Sequence, residues 1–298
     1  MILILFLTLL FLVCPPGVKA QETQFLKISP AIVNLVLEEP DQEEVFAIEL
    51  NNASDQTIRI ELFAIDFKQQ DLTNVIEFLP LGDDSYSYSL ASFISLETNH
   101  LILTAKEKRE FNIAVKNRND LSPGGHYAAI VARLIDEQQP EDITRVSPAL
   151  SCLILLRKTG GEIFNLQLKK LTWPIGSIVF RYPESIKLLF QNEGNIHLIP
   201  YGSLTINDLL GRTIYGASIN ISSNPILPQS RKYIEANLKK TGFSLPISIN
   251  SISINGHDSL NEIKFNYQKT FVYLNPLFAI GIIIAIPVLI IKFKKRKR

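Results

Sequence analysis

The sequence predicts an all-β protein: two tandem immunoglobulin-like β-sandwich domains followed by one C-terminal transmembrane helix. Three observations carry this reading. Between Leu26 and Tyr267 the apolar residues come in short runs separated by turn residues, at intervals of roughly 10–15 residues. No stretch of that region keeps a helical period for about a dozen residues. The long uninterrupted apolar segments lie only at the two ends. Many short strands without intervening helices build antiparallel sandwiches.

Met1 to Val13 is nearly all apolar, and Cys14-Pro15-Pro16-Gly17 and Val18-Lys19-Ala20 follow it. This is the layout of a secretory signal peptide over 1–20, cut between Ala20 and Gln21, although no Lys or Arg precedes the apolar run. Lipidation of Cys14 is disfavoured, because bulky Val13 precedes it where a small residue is needed. The first sandwich is expected over 21–158. Glu44–Leu50 reads as one strand ending in Asn51-Asn52, and Thr57–Leu62 alternates polar and apolar as a half-buried strand does. Glu110–Lys116 alternates again after a charged turn at Lys106–Arg109. The turn Pro123-Gly124-Gly125 leads into His126–Ala132, and Pro148–Leu156 reads as the last strand. Leu72–Tyr88 is long for a sandwich loop and is expected to be irregular.

Lys158-Thr159-Gly160-Gly161 is expected to be a flexible link, with the second sandwich over 162–270. Its strands begin with Glu162–Leu168 and Ser185–Phe190. Ser203–Asn207 and Arg212–Tyr215 flank a hairpin turn with Gly211 where positive φ is favoured. Residues 271–291 carry no charge and would span about 31 Å as a helix, the thickness of a bilayer core. Phe271 and Tyr273 fall where an aromatic belt is expected. The tail 292–298 holds six basic residues, which places it on the cytoplasmic side of a single-pass cell-membrane protein whose body is extracellular. Taking those six and Lys19 from the 30 Lys+Arg leaves 23 against 29 Asp+Glu. A mildly acidic body excludes nucleic acid as the natural partner.

In order along the chain, Ile28-Ser29-Pro30-Ala31, the Asn51-Asn52 strand end, Leu103–Val115 and Pro123-Gly124-Gly125-His126-Tyr127 resemble the first, peptidoglycan-binding-type domain of the WxL-interacting proteins. Asn192–Pro200, Asp208–Arg212 and Ile226–Arg231 are similar to the second domain of such surface proteins. The first domain also looks like the N-terminal sandwich of pilus chaperones. The resemblance implies a bacterial cell-surface protein that binds cell-wall polymer or other surface proteins, and it fixes no catalytic residues.

The residues themselves offer little chemistry. The four histidines (His100, His126, His197, His257) are far apart, and neither HExxH nor CxxC occurs, so no metal and no cofactor is expected. No phosphate loop or GxSxG elbow is present, so no catalytic residue is named and the chain is read as a non-enzyme. Asp83-Asp84 offers oxygen donors for calcium but reads better as a solvated loop. Once Cys14 is removed, Cys152 is left alone in an apolar strand, where a small core hydrophobe is expected. Tyr86, Tyr88 and Trp173 are the candidates for carbohydrate contact, since aromatic faces stack on sugar rings, with packing the competing role for Trp173. The expected function is non-enzymatic binding of cell-wall polymer or envelope protein. The alternatives are a membrane-tethered hydrolase of envelope glycans and an assembly chaperone, the latter needing a basic cleft that the sequence does not display.

Overall fold

The computed structural model describes residues 26–82, 85–135, 149–173, 176 and 178–296, with side chains to residue 287. The expected cleavage site at Ala20 and Gln21, Cys14 and the Asp83-Asp84 pair lie outside the described residues.

Ten strands build the first sandwich: β1 (Leu26–Ser29), β2 (Ile32–Leu37), β3 (Glu43–Asn52), β4 (Ile58–Gln69), β5 (Ile76–Phe78), β6 (Ile94–Leu96), β7 (His100–Leu103), β8 (Lys108–Lys116), β9 (Gly124–Ile135) and β10 (Ala149–Lys158). One sheet has the order β1-β3-β8-β6, the other β2-β10-β9-β4-β5 with β7 also on β4. A cis Ser29–Pro30 bond separates β1 from β2, where the chain passes from one sheet to the other. β2 then runs parallel to β10 and leaves its outer edge unpaired by any strand among the described residues. Alternate residues fill the core: Ile48 and Leu50, Ile60 and Leu62, Phe111, Ile113 and Val115, Cys152, Ile154 and Leu156. Cys152 is fully buried, and burial pushes its thiol up to about 11, as suits a core hydrophobe. The stretch 72–88, expected to be irregular, contributes strand β5 and folds against the sheet.

The second sandwich comprises β11 (Leu166–Leu171), β12 (Ile178–Val179), β13 (Ser185–Asn192), β14 (Pro200–Asp208), β15 (Thr213–Ile219), β16 (Ser230–Asn237), β17 (Lys239–Lys240), β18 (Ile247–Asp258) and β19 (Lys264–Leu274). Its sheets are β11-β13-β16 and β12-β19-β18-β14-β15-β17. The hairpin turn between β14 and β15 forms as the residues suggest. Asp208 Oδ1 accepts from the amides of Leu210 and Arg212, each at 2.9 Å, and Gly211 has φ +76°.

The C-terminal boundary departs from expectation. β19 continues to Leu274, four residues into the apolar stretch that reads as membrane helix. Phe271 and Tyr273 are 2% and 8% exposed, and both belong to the second core rather than to an aromatic belt. The cause is register: Phe271 lies opposite Asn250 and Val272 opposite Ile249, so β18 holds this segment as its strand partner. Helix α1 (Pro276–Arg296) follows after one residue. Asn275 caps it, Oδ1 accepting from Leu277 N at 3.0 Å, which stops the strand and starts the helix at one point. Among the described residues, no helix is long and apolar enough to cross a membrane.

Both sandwiches end a core strand in a fully buried asparagine. Asn52 Nδ2 donates to the carbonyls of Gln56 and Thr104, each at 2.7 Å, while its Oδ1 accepts from Ser54 N. Asn192 Nδ2 donates to Ile196 O and Ile226 O at 2.8 and 2.9 Å, and Oδ1 accepts from Gly194 N at 3.0 Å. A side chain with two donors and one acceptor thus satisfies turn backbone that water cannot reach. Replacing Asn192 by Ala strands Ile196 O and Gly194 N, while Ile226 O keeps its bond from Leu198 N, and is expected to cost about 2–3 kcal/mol. Urea unfolding followed through Trp173, which sits in this domain, measures it.

Candidate binding surface at the joint between the sandwiches

The larger sheet of the first sandwich is apolar on both faces. Inward residues fill the core. On the outer face Ile32, Leu153, Ala129 and Ile65 stand in one cross-strand row, with Val131 and Phe63 paired in the next. Phe67, Tyr127 and Leu155 continue the face toward the second sandwich, where Leu227 covers them. The result is a separate apolar cluster, half-buried at Phe63, Ile65 and Leu153, with edge residues Ile32 and Val36 exposed at 44% and 36%. Arg133 bounds the far end: its guanidinium lies 5.4 Å over the Phe63 ring and is paired to Glu61.

The near end is the joint. Gly125 N donates to Asn195 O at 2.8 Å. A Cβ on Gly125 would sit 2.1 Å from the Tyr127 hydroxyl and 3.1 Å from Asn195 O, so only glycine permits the approach. Asn195 also clamps the connecting chain, Oδ1 accepting from Ile163 N at 2.6 Å and Nδ2 donating to Gly161 O at 2.8 Å. Glu162 accepts from the amides of Gly160 and Gly161. The link read as flexible is therefore held on both sides. On the opposite flank Leu72 N donates to Arg231 O at 2.8 Å, Leu227 N donates to Gln69 Oε1 at 3.2 Å, and Arg231 forms a two-point ion pair with Asp71.

Magnitudes rank these contacts. The Asp71–Arg231 pair is about half exposed and screened by solvent, so it adds little, even though Arg231 holds the Asp71 carboxyl below its ordinary range. Leu227, 5% exposed, contributes about 1.5–3 kcal/mol by burial. The apolar plug dominates, and the ion pair sets its orientation. His197 faces Tyr127, ring centroids 5.7 Å apart, with Tyr127 Oη and His197 Nδ1 at 3.4 Å. Burial lowers the His197 pKa from 6.5 to about 4 and raises that of Tyr127. His126 meets Ser89 O and Ser122 O at 2.9 and 2.8 Å, and burial lowers its pKa despite those carbonyls.

The aromatic candidates are placed in packing environments. The Tyr86 hydroxyl donates to Phe67 O at 3.0 Å, and its ring lies edge-on to Tyr88 at 5.8 Å. Tyr88 in turn leans on Tyr127 at 6.2 Å. Burial raises the pKa of both hydroxyls. Trp173 stands edge-on to Phe271 at 5.3 Å in the second core, away from the joint. The two cations at the end of β10 are both engaged. Arg157 pairs with Glu162 at 3.4 Å, and Lys158 Nζ donates to Leu121 O at 2.6 Å and to Arg118 O at 3.2 Å. Among the described residues no group of three or more His, Cys, Asp or Glu converges. A polar cleft of about 580 Å³ lies on the Leu72 flank, lined by Asn74, Asn220, Asn224, Tyr233 and Asn237 among others.

No protein-family model matches the chain, and no curated protein matches it. Solved structures with a similar fold include the class 5 fimbriae chaperone CfaA, at 11% identity and a TM-score of 0.42, covering 82% of this chain and 98% of that one. The CupB2 chaperone of Pseudomonas aeruginosa is 10% identical with a TM-score of 0.36, covering 80% of this chain and 97% of its own. The SafB chaperone in complex with the SafA pilin of Salmonella enterica is 10% identical with a TM-score of 0.37, covering 81% and 95%. Likeness at this level carries no argument about activity or partner.

Two outcomes test the joint. Wild-type protein should resist protease at Gly160–Gly161, and Asn195→Ala, which removes both side-chain clamps, should open that site. Stability should also fall with pH in a defined window. Folded His197 stays neutral down to about pH 4 while the unfolded chain protonates near 6.5, so its share of stability is intact above 6.5, is lost between those values and changes no further below. His197→Gln should reduce the difference in denaturation free energy between pH 7.5 and 4.5.

Proposed function

We propose that the chain is a non-enzymatic, membrane-tethered bacterial surface protein that holds an extended segment of another surface protein, in the manner of an assembly chaperone or adaptor. One observation carries the reading: the edge of β2, which no strand among the described residues pairs, with Ile32 and Val36 exposed, beside an apolar outer sheet face. An edge strand offers free backbone donors and acceptors, and an adjoining apolar face offers pockets for alternate side chains of an added strand. The resemblance of the Pro123–Tyr127 and Ile226–Arg231 strings to WxL-interacting proteins supports a surface-protein partner. The grip differs from one built on a basic pair, because Arg157 and Lys158 are already engaged. The tether is proposed on the uncharged run to Ile291, which fills α1 up to its basic last turn, and on the exposure of its side chains, Leu277 at 80%, Ile283 at 69% and Ile284 at 60%. Export of the body follows from the N-terminal signal pattern and the basic tail. Cell-wall polymer is the second reading, favoured by the amide-lined cleft, whose Asn and Tyr groups match the hydrogen bonding of glycans.

A photo-crosslinking residue at Ile32 or Val36 of the full chain in cells is expected to capture a surface protein through a segment of alternating apolar residues, read by mass spectrometry. With the crosslinker at position 36, Ile32→Lys should abolish the adduct, and with it at position 32, Val36→Asp should do the same, each changing stability by no more than about 0.5 kcal/mol. Adducts of equal strength from Ile163, on the other sandwich, would remove the edge-strand assignment, and recovery of glycan alone would favour the second reading.

A further inference from the structure

The exposed apolar residues of the second sandwich are concentrated at the end from which α1 leaves. Register locates them. β18 begins opposite the end of β19, Ile247 facing Leu274, and β14 ends opposite the same region, Asp208 facing Asn250. The outer face there is apolar: Ile178 and Ile249 flank Val272, with Ile178 53% and Ile249 42% exposed. Farther along the same strands the outer face turns polar, with Ser251 opposite Thr270 and Ser253 opposite Gln268. On this sheet face apolar exposure is thus weighted to the helix end; at the opposite end the exposed apolar residues are the separate loop positions Ile163, Ile221 and Leu260.

The loops at that end extend the pattern. The β14–β15 turn presents Leu209 and Leu210 at 72% and 76% exposure. Gly242 N donates to Ile214 O, which brings the following Phe243 beside that turn at 76% exposure. Such tips cost free energy in water, and an apolar patch at one end of a domain marks a contact surface. Behind them Lys239 and Lys240 pair with Gly216 and Tyr215, two to three residues from the start of β15 at Thr213. That spacing is about 7–10 Å at the strand rise. Of the carboxylates near this end, Asp208 is paired with Arg212, Glu184 with Arg181, and Glu235 stands opposite Lys187 and accepts from Ser185 Oγ, so the two lysines of β17 leave it net positive. The helix start is fixed to the same end, Asn275 N donating to Pro246 O at 2.7 Å.

The geometry points to a second, independent membrane contact: the helix end of the second sandwich rests on an anionic lipid surface, Leu209, Leu210 and Phe243 entering the acyl boundary and Lys239 and Lys240 at headgroup level. Apolar tips that insert by about 5–10 Å with cations just behind are the arrangement that interfacial binding requires. One-residue continuity between β19 and α1 brings this end to the bilayer whenever the helix is in it. The inference rests on the proposed tether, and the test separates the two.

Full-length protein with Cys14→Ser, in which Cys152 stays buried, is given one labelled cysteine at a time: Leu210→Cys, Phe243→Cys, Ile283→Cys on the helix, and Ile163→Cys or Leu260→Cys at the far end. It is reconstituted in phosphatidylcholine–phosphatidylglycerol vesicles carrying a headgroup-region nitroxide quencher. Quenching at positions 210 and 243 is expected to exceed that at 163 and 260 by about twofold or more, and to fall when Lys239 and Lys240 are replaced by Glu. Quenching at 283 without quenching at 210 and 243 overturns the docked end and leaves the tether standing. Quenching at 210 and 243 without 283 supports the docked end and overturns the tether. No quenching at any position overturns both.

Discussion

Asn195 and Gly125 together set the geometry on which the surface of this protein depends. The Asn195 carbonyl accepts from Gly125, and its side chain holds the connecting chain at Gly161 and Ile163, so a single residue fixes both the approach of the two sandwiches and the path between them. Glycine at 125 is required, because any Cβ there would meet the Tyr127 hydroxyl. With that approach fixed, Leu227 falls on Phe67, Tyr127 and Leu155 and closes one end of an outer apolar face. Beyond the joint, Ala129 and Val131 are buried on that face, Phe63, Ile65 and Leu153 are half-buried, and Ile32 and Val36 are exposed at its edge.

The division of labour between polar and apolar contacts follows from their magnitudes. Buried apolar area holds each sandwich and plugs the joint. Hydrogen bonds from buried asparagines cost little when satisfied and a great deal when broken, so they enforce which turn and which register is adopted. The half-exposed Asp71–Arg231 pair contributes less energy than direction, bringing the Leu72 flank against β16.

Strand identity is legible in the sequence wherever one face is wet. Thr57–Leu62 and Glu110–Lys116 alternate because their outer residues meet solvent, and both lie in strands. Alternation is lost in His126–Ala132, which is buried on both faces, and there only the flanking Gly124-Gly125 turn marks the strand. The joint is illegible pairwise: Asp71 and Arg231 are 160 residues apart, and nothing local in either announces the other. Yet three strings whose Gly, Asn and Pro residues stand out as turns in the sequence, Pro123–Tyr127, Asn192–Pro200 and Ile226–Arg231, supply Gly125, Asn195, His197, Leu227 and Arg231 to this one contact. The end of the last strand was hidden for a different reason. Phe271–Leu274 is as apolar as the helix after it, and only pairing with β18 separates the two. Tyr86, Tyr88 and Trp173 illustrate the limit of residue type, since an aromatic ring reads alike in a core and on a binding face.

The central claim is that the two sandwiches form one rigid body around Asn195. Pulsed electron paramagnetic resonance between spin labels at Glu110→Cys and Lys264→Cys, both exposed and on different sandwiches, tests it most directly in a Cys14→Ser background. A single narrow distance distribution in the otherwise unaltered chain, broadened by Asn195→Ala, is the predicted result. A broad distribution before that substitution, or one that Asn195→Ala leaves unchanged, would contradict it.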